Sequence, residues 1–197
     1  FSQLYPYNGK LYGTTERGGI NDKGIIFSMN PDGSDFQVVY NFEGGELGAD
    51  PYGYLTFSDG KIYGMTNGNS FSTYLLNVLN GTPLSEEDSS VVFSFDLESS
   101  EYNVLHVFAG GTSDGDEPLA SALNLIDDKL YGLTYLGGTN NKGTIFSIDT
   151  DGTDFEILHS FVGGEDGSYP WSSMMVHDGK LYGMTAGNQF TALIGII

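Results

Sequence analysis

Apolar and polar positions alternate along this chain in short runs, with period two rather than helical spacing, and each run stops at turn-forming residues. In one representative stretch the runs cover 54–58, 61–66, 91–96 and 103–108. The first two runs of such a stretch are joined by Asn8-Gly9, Asp59-Gly60, Asp127-Asp128 or Asp178-Gly179. These residues tolerate positive φ at both corners of a type I′ turn. The last two runs are joined through Asp32-Gly33 or Asp151-Gly152. The pattern predicts antiparallel hairpins and no sustained amphipathic helix; only Tyr74–Leu79 offers a helical turn or two.

The third run of each stretch shows which faces are covered. Ile25, Phe27 and Met29 point one way and Ile26 and Ser28 the other; Thr144, Phe146 and Ile148 repeat this against Ile145 and Ser147. A sheet lying on one core alternates cleanly between apolar and polar residues, whereas here both faces carry apolar side chains. Each sheet is therefore expected to be covered on both sides.

The stretches are copies of one unit. Lys-Leu/Ile-Tyr-Gly-x-Thr begins at Lys10, Lys61, Lys129 and Lys180, so the copies are offset by 51, 68 and 51 residues. A strand ending in Phe-Ser follows in three copies, at Phe27, Phe93 and Phe146, and 15 residues beyond each lies Phe42, Phe108 or Phe161 before a Gly-rich turn. The longer middle offset reflects mainly an insertion at residues 70–86. Four short antiparallel strands in about 50 residues, with both faces covered, describe a β-propeller blade. The fold class expected is all-β, one propeller domain over residues 1–197. Its repeats are 1–51, 52–118, 119–170 and a partial fourth at 171–197, where the pattern is lost after Gly187. Phe1 aligns with Tyr52, directly after the Pro of the repeat. Closed propellers take four to eight blades. Three complete units and about half of a fourth are thus expected to be a segment of a larger ring, its other blades coming from the same polypeptide or a second chain. The alternative is a small ring closed between residues near Phe1 and the tail at 194–197.

At these residues the sequence resembles the bacterial tandem-repeat family called GloVer. The third unit carries the resemblance throughout: Leu130-Tyr131-Gly132, Gly137-Gly138, Gly143-Thr144-Ile145-Phe146, Asp151-Gly152-Thr153, Leu158-His159-Ser160-Phe161, Gly163-Gly164, Asp166-Gly167 and Pro170. The resemblance implies a secreted or surface-anchored bacterial protein, hence an extracellular or cell-surface location. It is specific for the repeat and says nothing of an activity. The second unit departs from it by lacking Gly-Thr-Ile-Phe and carrying the insertion.

Composition narrows the partners. Seven Lys and Arg stand against 26 Asp and Glu, a formal charge of −19, which repels phosphate backbones and anionic lipid surfaces. No nucleic-acid partner and no membrane insertion are expected, since no apolar run approaches the roughly 18 residues of a membrane-spanning helix. The absence of Cys excludes disulfides, thiolate metal sites and cysteine catalysis.

In a propeller the connection between strands two and three and the link to the next blade emerge on one face. That face is where a ligand is sought. Its candidate binding residues are Tyr135, Tyr169 and Trp171 with the carboxylates Asp50, Asp116, Glu117 and Asp166. Trp171 is the one aromatic set apart from the repeat, its equivalents being Phe1, Tyr52 and Leu119, and suits a platform for sugar stacking. Asp149, Asp151 and Asp154 faintly resemble a Ca²⁺ loop, but their glycine is misplaced and the other ligands are missing, so a hairpin turn is the expected reading and no cofactor is assigned. His106 and His159 occupy the same place in strand four, where the first copy has Tyr40, and read as packing or hydrogen-bonding residues. No Gly-x-Ser-x-Gly elbow or metal-spaced His cluster occurs. The sequence therefore reads as a non-catalytic recognition or scaffold module that binds a glycan or protein through the face bearing the insertion. The alternative is a polysaccharide hydrolase or lyase using carboxylates of that face.

Overall fold

A computed structural model of the chain describes residues 3–68, 88–119 and 121–186 and the backbone of the strand Ala192–Ile196. The insertion at 70–86 and its helical turn lie outside the described residues. Among the described residues the chain is built of strands and two single-turn 3₁₀ segments, Gly45–Leu47 and Gly164–Asp166. Among the described residues no helix is long and apolar enough to cross a membrane.

The first sheet holds β1 (Tyr5–Tyr7), β2 (Lys10–Thr15), β3 (Ile25–Met29) and β4 (Gln37–Asn41) in that order. The second repeats it with β5 (Thr56–Ser58), β6 (Lys61–Asn67), β7 (Ser90–Asp96) and β8 (Tyr102–Val107). A short β9 (Gly115–Asp116) precedes the third sheet, in which β10 (Asn124–Ile126), β11 (Lys129–Thr134), β13 (Thr144–Asp149) and β14 (Glu156–Ser160) pair in sequence. Between β11 and β13, β12 (Leu136–Gly137) pairs back onto β9. The fourth sheet has β15 (Met175–His177), β16 (Lys180–Met184) and β17 (Ala192–Ile196). All neighbouring strands run antiparallel.

Turn chemistry sets the hairpins as expected. Both corners of the four tight turns have positive φ: 46° and 78° at Asn8-Gly9, 48° and 80° at Asp59-Gly60, 48° and 63° at Asp127-Asp128, 48° and 68° at Asp178-Gly179. The connection between strands three and four is longer than a tight hairpin. There the Asp32 carboxylate accepts from the Ser34 N–H and hydroxyl, and Asp151 does the same with Thr153. In the fourth copy, although the repeat pattern fails after Gly187, Ala192–Ile196 pairs with β16 as the third strand of its own sheet.

The Gly of Tyr-Gly is required by space. A Cβ on Gly64 would lie 2.6 Å from Phe93 Cζ and 3.3 Å from Leu55, and one on Gly132 would lie 2.3 Å from Phe146 and 3.0 Å from Leu123. The Phe of strand three and the Leu before strand one thus close over strand two. Strand four carries a bulge at one repeated place, opposite Ile26/Phe27, Val92/Phe93 and Ile145/Phe146. The additional residue there, Val39, Leu105 or Leu158, packs on the core shared with the next sheet.

Three cores lie between consecutive sheets. Tyr12, Ile26 and Phe42 of the first sheet meet Leu55, Ile62, Phe93 and Phe95 of the second. Tyr63, Met65, Val92 and Phe108 of the second meet Leu123, Leu130, Phe146 and Ile148 of the third. Leu133, Ile145 and Phe161 of the third meet Met174 and Leu181 of the fourth. Every sheet thus shows one kind of face to its predecessor and another to its successor. Full burial of Phe42, Phe93, Phe146 and Phe161 stabilises the fold by about 2–3 kcal/mol each.

The same motif should respond differently in different sheets. Gly132→Ala forces a methyl against the fully buried Phe146 and is expected to lower unfolding free energy by about 1–3 kcal/mol in urea titrations. Gly13→Ala should cost clearly less, because Phe27 is only half-buried and can give way. Equal losses would show that the clash is not the reason for the glycine.

Candidate functional site

The connections on the loop face hang on a repeated backbone device. The residue before each link proline is left-handed, with φ of 54° at Asp50, 49° at Glu117 and 55° at Tyr169. Its carbonyl accepts the N–H of the residue at the end of strand two or just beyond it: Asn67 to Asp50 at 3.1 Å, Tyr135 to Glu117 at 2.9 Å, Ala186 to Tyr169 at 3.0 Å. In two links its own N–H reaches back to the preceding sheet, Asp50 to the Lys23 carbonyl and Tyr169 to that of Lys142. A left-handed non-glycine residue is uncommon. Three at one position show that the tertiary frame dictates the link.

On this frame Tyr135, Tyr169 and Trp171 come together. The Tyr135 ring lies 5.1 Å from Tyr169 and meets Trp171 edge-on at 5.4 Å. Half of Trp171 stays exposed. Glu117 joins them through its carbonyl bond to Tyr135, and Asp116 precedes it on β9, accepting from the Glu117 N–H. Burial, with the neighbouring Asp116 charge adding to it, pushes the Glu117 carboxyl above its usual range.

The remaining acidic candidates are engaged elsewhere. Asp50 is buried with Arg17 3.6 Å away. Asp166 accepts from His159 Nε2 at 3.0 Å and from the Val162 N–H. His106 repeats that clasp on Asp114, at 3.1 and 3.2 Å from its two oxygens, while Asp114 also accepts from the backbone of Ala109 and Gly115. Burial alone would raise the Asp114 pKa, but these bonds outweigh it and hold the carboxyl below its usual range. His106 further stacks on Phe155 of the next sheet at 3.6 Å, and His159 meets Phe161 edge-on at 4.8 Å, so both rings take part in packing as well as hydrogen bonding. Asp149 pairs with Lys129 and Asp151 caps its turn. Among the described residues no group of three or more His, Cys, Asp or Glu is placed to hold a metal ion.

A cleft of about 530 Å³ lies where the four sheets converge, beside Trp171, and was not anticipated from the sequence. Gln3, Tyr54, Ala122 and Ser173 line it, each seven residues before the Lys of its repeat, together with Tyr5, Trp171 and Ser172. The repeat register brings one side chain per unit to this wall. The four are chemically different, which is why no motif flagged them. Among the described residues no charged side chain lines the cleft, although the chain carries −19. Ser173 Oγ accepts from the Ala122 N–H, and the buried Ser172 Oγ has no hydrogen-bond partner among the described residues. Burial, and the nearby Tyr54, push Tyr5 up to about 12, which keeps its hydroxyl a neutral donor. The arrangement offers hydroxyls, an amide and an indole face.

Residues 72–195 match the model of the Gloeobacter/Verrucomicrobia repeat, and the chain belongs to that family. No curated protein matches it. Among solved structures it is similar to a chain of the nidogen/laminin complex, at 11% identity and a TM-score of 0.57, over 94% of this chain and 56% of that one. It is also similar to the computationally designed Ika4 protein (11% identity, TM-score 0.53, 96% of this chain, 88% of that one) and to TolB from Acinetobacter baumannii (13%, 0.53, 94% and 38%). The chain thus spans little more than half the length of the nidogen/laminin chain. At such identities the likeness concerns the fold alone, which is of the β-propeller-like kind.

The His–Asp clasp has a testable sign. Asp114 titrates lower in the folded chain than the ordinary 3.8 of a free carboxyl, so its contribution is fully present above that value and is lost below it, as pH falls through the lower folded value. Asp114→Asn should lower unfolding free energy by about 1–3 kcal/mol near neutral pH, and the gap to the parent should narrow below about pH 4. A gap independent of pH in urea titrations would refute the ionised clasp.

Proposed function

We propose that the chain is a non-catalytic recognition module, acting outside the cell or on its surface, which binds a neutral glycan at the cleft and Trp171. The observation that carries this reading is the lining itself. An uncharged wall of hydroxyl, amide and aromatic groups beside a half-exposed indole, within a strongly acidic protein, suits a polyhydroxylated uncharged ligand and not an ion. Backbone bonds tie Tyr135 to Glu117 and Tyr169 to Lys142, holding the ring-bearing segments in place, which lowers the entropic cost of binding. A protein partner is the other class, supported by the occurrence of a similar fold in the nidogen/laminin complex.

A second reading rests on Glu117. Its raised pKa beside Asp116 suits a proton donor to a glycosidic oxygen, so the same face would cleave polysaccharide. Product formation that disappears in Glu117→Gln, with binding retained, would establish it.

Calorimetric titration against neutral oligosaccharides chosen from a glycan array tests the primary reading. Trp171→Ala and Tyr54→Ala are expected to weaken binding about tenfold or more, equal to about 1.4 kcal/mol, with the thermal midpoint unchanged. Absence of any glycan signal, or binding indifferent to both changes, would overturn it. Capture of a protein partner abolished by Trp171→Ala would transfer the site to the protein class.

A further inference from the structure

The three internal cores share one polarity, and the chain leaves one half of it open at each end. Leu55, Leu123 and Met174, the residues that face the preceding sheet from beside strand one, are 6%, 2% and 7% exposed, whereas their equivalent Leu4 is 40% exposed. Phe93 and Phe146 are fully buried, while Phe27 of the first sheet is only half-buried. Phe36 stacks on Phe27 at 5.3 Å and is otherwise open. Its equivalents Tyr102 and Phe155 stack on the preceding sheet, against Tyr40 at 4.4 Å and His106 at 3.6 Å. Val38 continues the same open patch.

At the other end the opposite face is open. Met65 and Leu133, which face the succeeding sheet, are 4% and 2% exposed, but their equivalent Met184 is 53% exposed. Tyr182 and Met175 lie exposed with it, where Tyr12 and Tyr63 are buried. Among the described residues no sheet covers the outer face of the first sheet or that of the fourth. What fits each patch is defined by the three cores already formed: the patch around Leu4 and Phe27 matches the kind of face that Tyr182 and Met184 present.

We infer that a second copy of this chain docks head to tail on these patches, the Met175–Tyr182–Met184 face of one copy on the Leu4–Phe27–Phe36–Val38 face of the other. The occupant follows from continuity with the internal cores, because a second copy supplies both complementary faces in the right polarity. Two copies joined at both ends hold eight sheets, within the range of closed propellers, and leave neither patch in water. Large apolar patches of this kind are costly to leave exposed. The named residues of both patches are uncharged, so the −19 of each copy opposes the pairing only from a distance. Salt, by screening it, strengthens the contact.

Light scattering and sedimentation of the chain test this. The expected mass is twice the 21.3 kDa of one chain, with a dissociation constant that falls as salt rises. Leu4→Lys and Met184→Lys, which reduce the net charge and so add no general repulsion, should each give monomers with unchanged circular dichroism. Mixed together, they should recover a heterodimer, since one of the two contacts then joins two unmodified faces; face-to-face pairing of like ends gives no such recovery. A monomer at all concentrations, a dimer indifferent to both substitutions, a mixture that stays monomeric, or open-ended growth of mass with concentration would each overturn the closed head-to-tail pair.

Discussion

A sheet of four short strands with apolar side chains on both faces has no stability of its own, because water would meet at least one greasy side. Every other feature of this chain follows from that dependence. The first and second sheets close around Phe42 and Phe93, the second and third around Phe108 and Phe146, and the third and fourth around Phe161 and Met174. Stability is therefore distributed over junctions between neighbours rather than held in one central core, as in other repeat proteins.

The repeat, the type I′ hairpins and the doubly covered faces were all legible as residue patterns, since each has a local cause: positive φ at Asn-Gly and Asp-Gly, or alternation with no polar face. The aromatic group of Tyr135, Tyr169 and Trp171 was legible once the repeat had been aligned. The cleft was not, because its four equivalent positions share a place and not a residue type, so no motif marks them. The carboxylates behaved in the reverse way. Asp50 and Asp166 looked like ligands in loops, yet tertiary contacts commit them to Arg17 and His159. Nor could spacing reveal the tail strand at Ala192–Ile196, which pairs with β16 without the residues that mark strand three elsewhere.

Frame and cleft wall are built from separate residues. Gly132, Phe146 and the left-handed Glu117 serve the frame, and exchanging them disturbs packing or backbone geometry. Gln3, Tyr54, Ala122 and Ser173 are held in place by that frame, to which the Ser173 bond to Ala122 and the edge contact of Tyr54 with Tyr5 also contribute. The His–Asp clasps belong to the frame as well, tying strand four to the following loop on each side of the third sheet.

The placement of one wall residue per unit has an evolutionary corollary. Duplicating a unit would copy the scaffold faithfully and at the same stroke add a spare position around the axis, free to drift without endangering folding. Substitutions at that one phase of the repeat alter the chemistry of the wall, whereas substitutions at the blade positions disturb the packing between sheets.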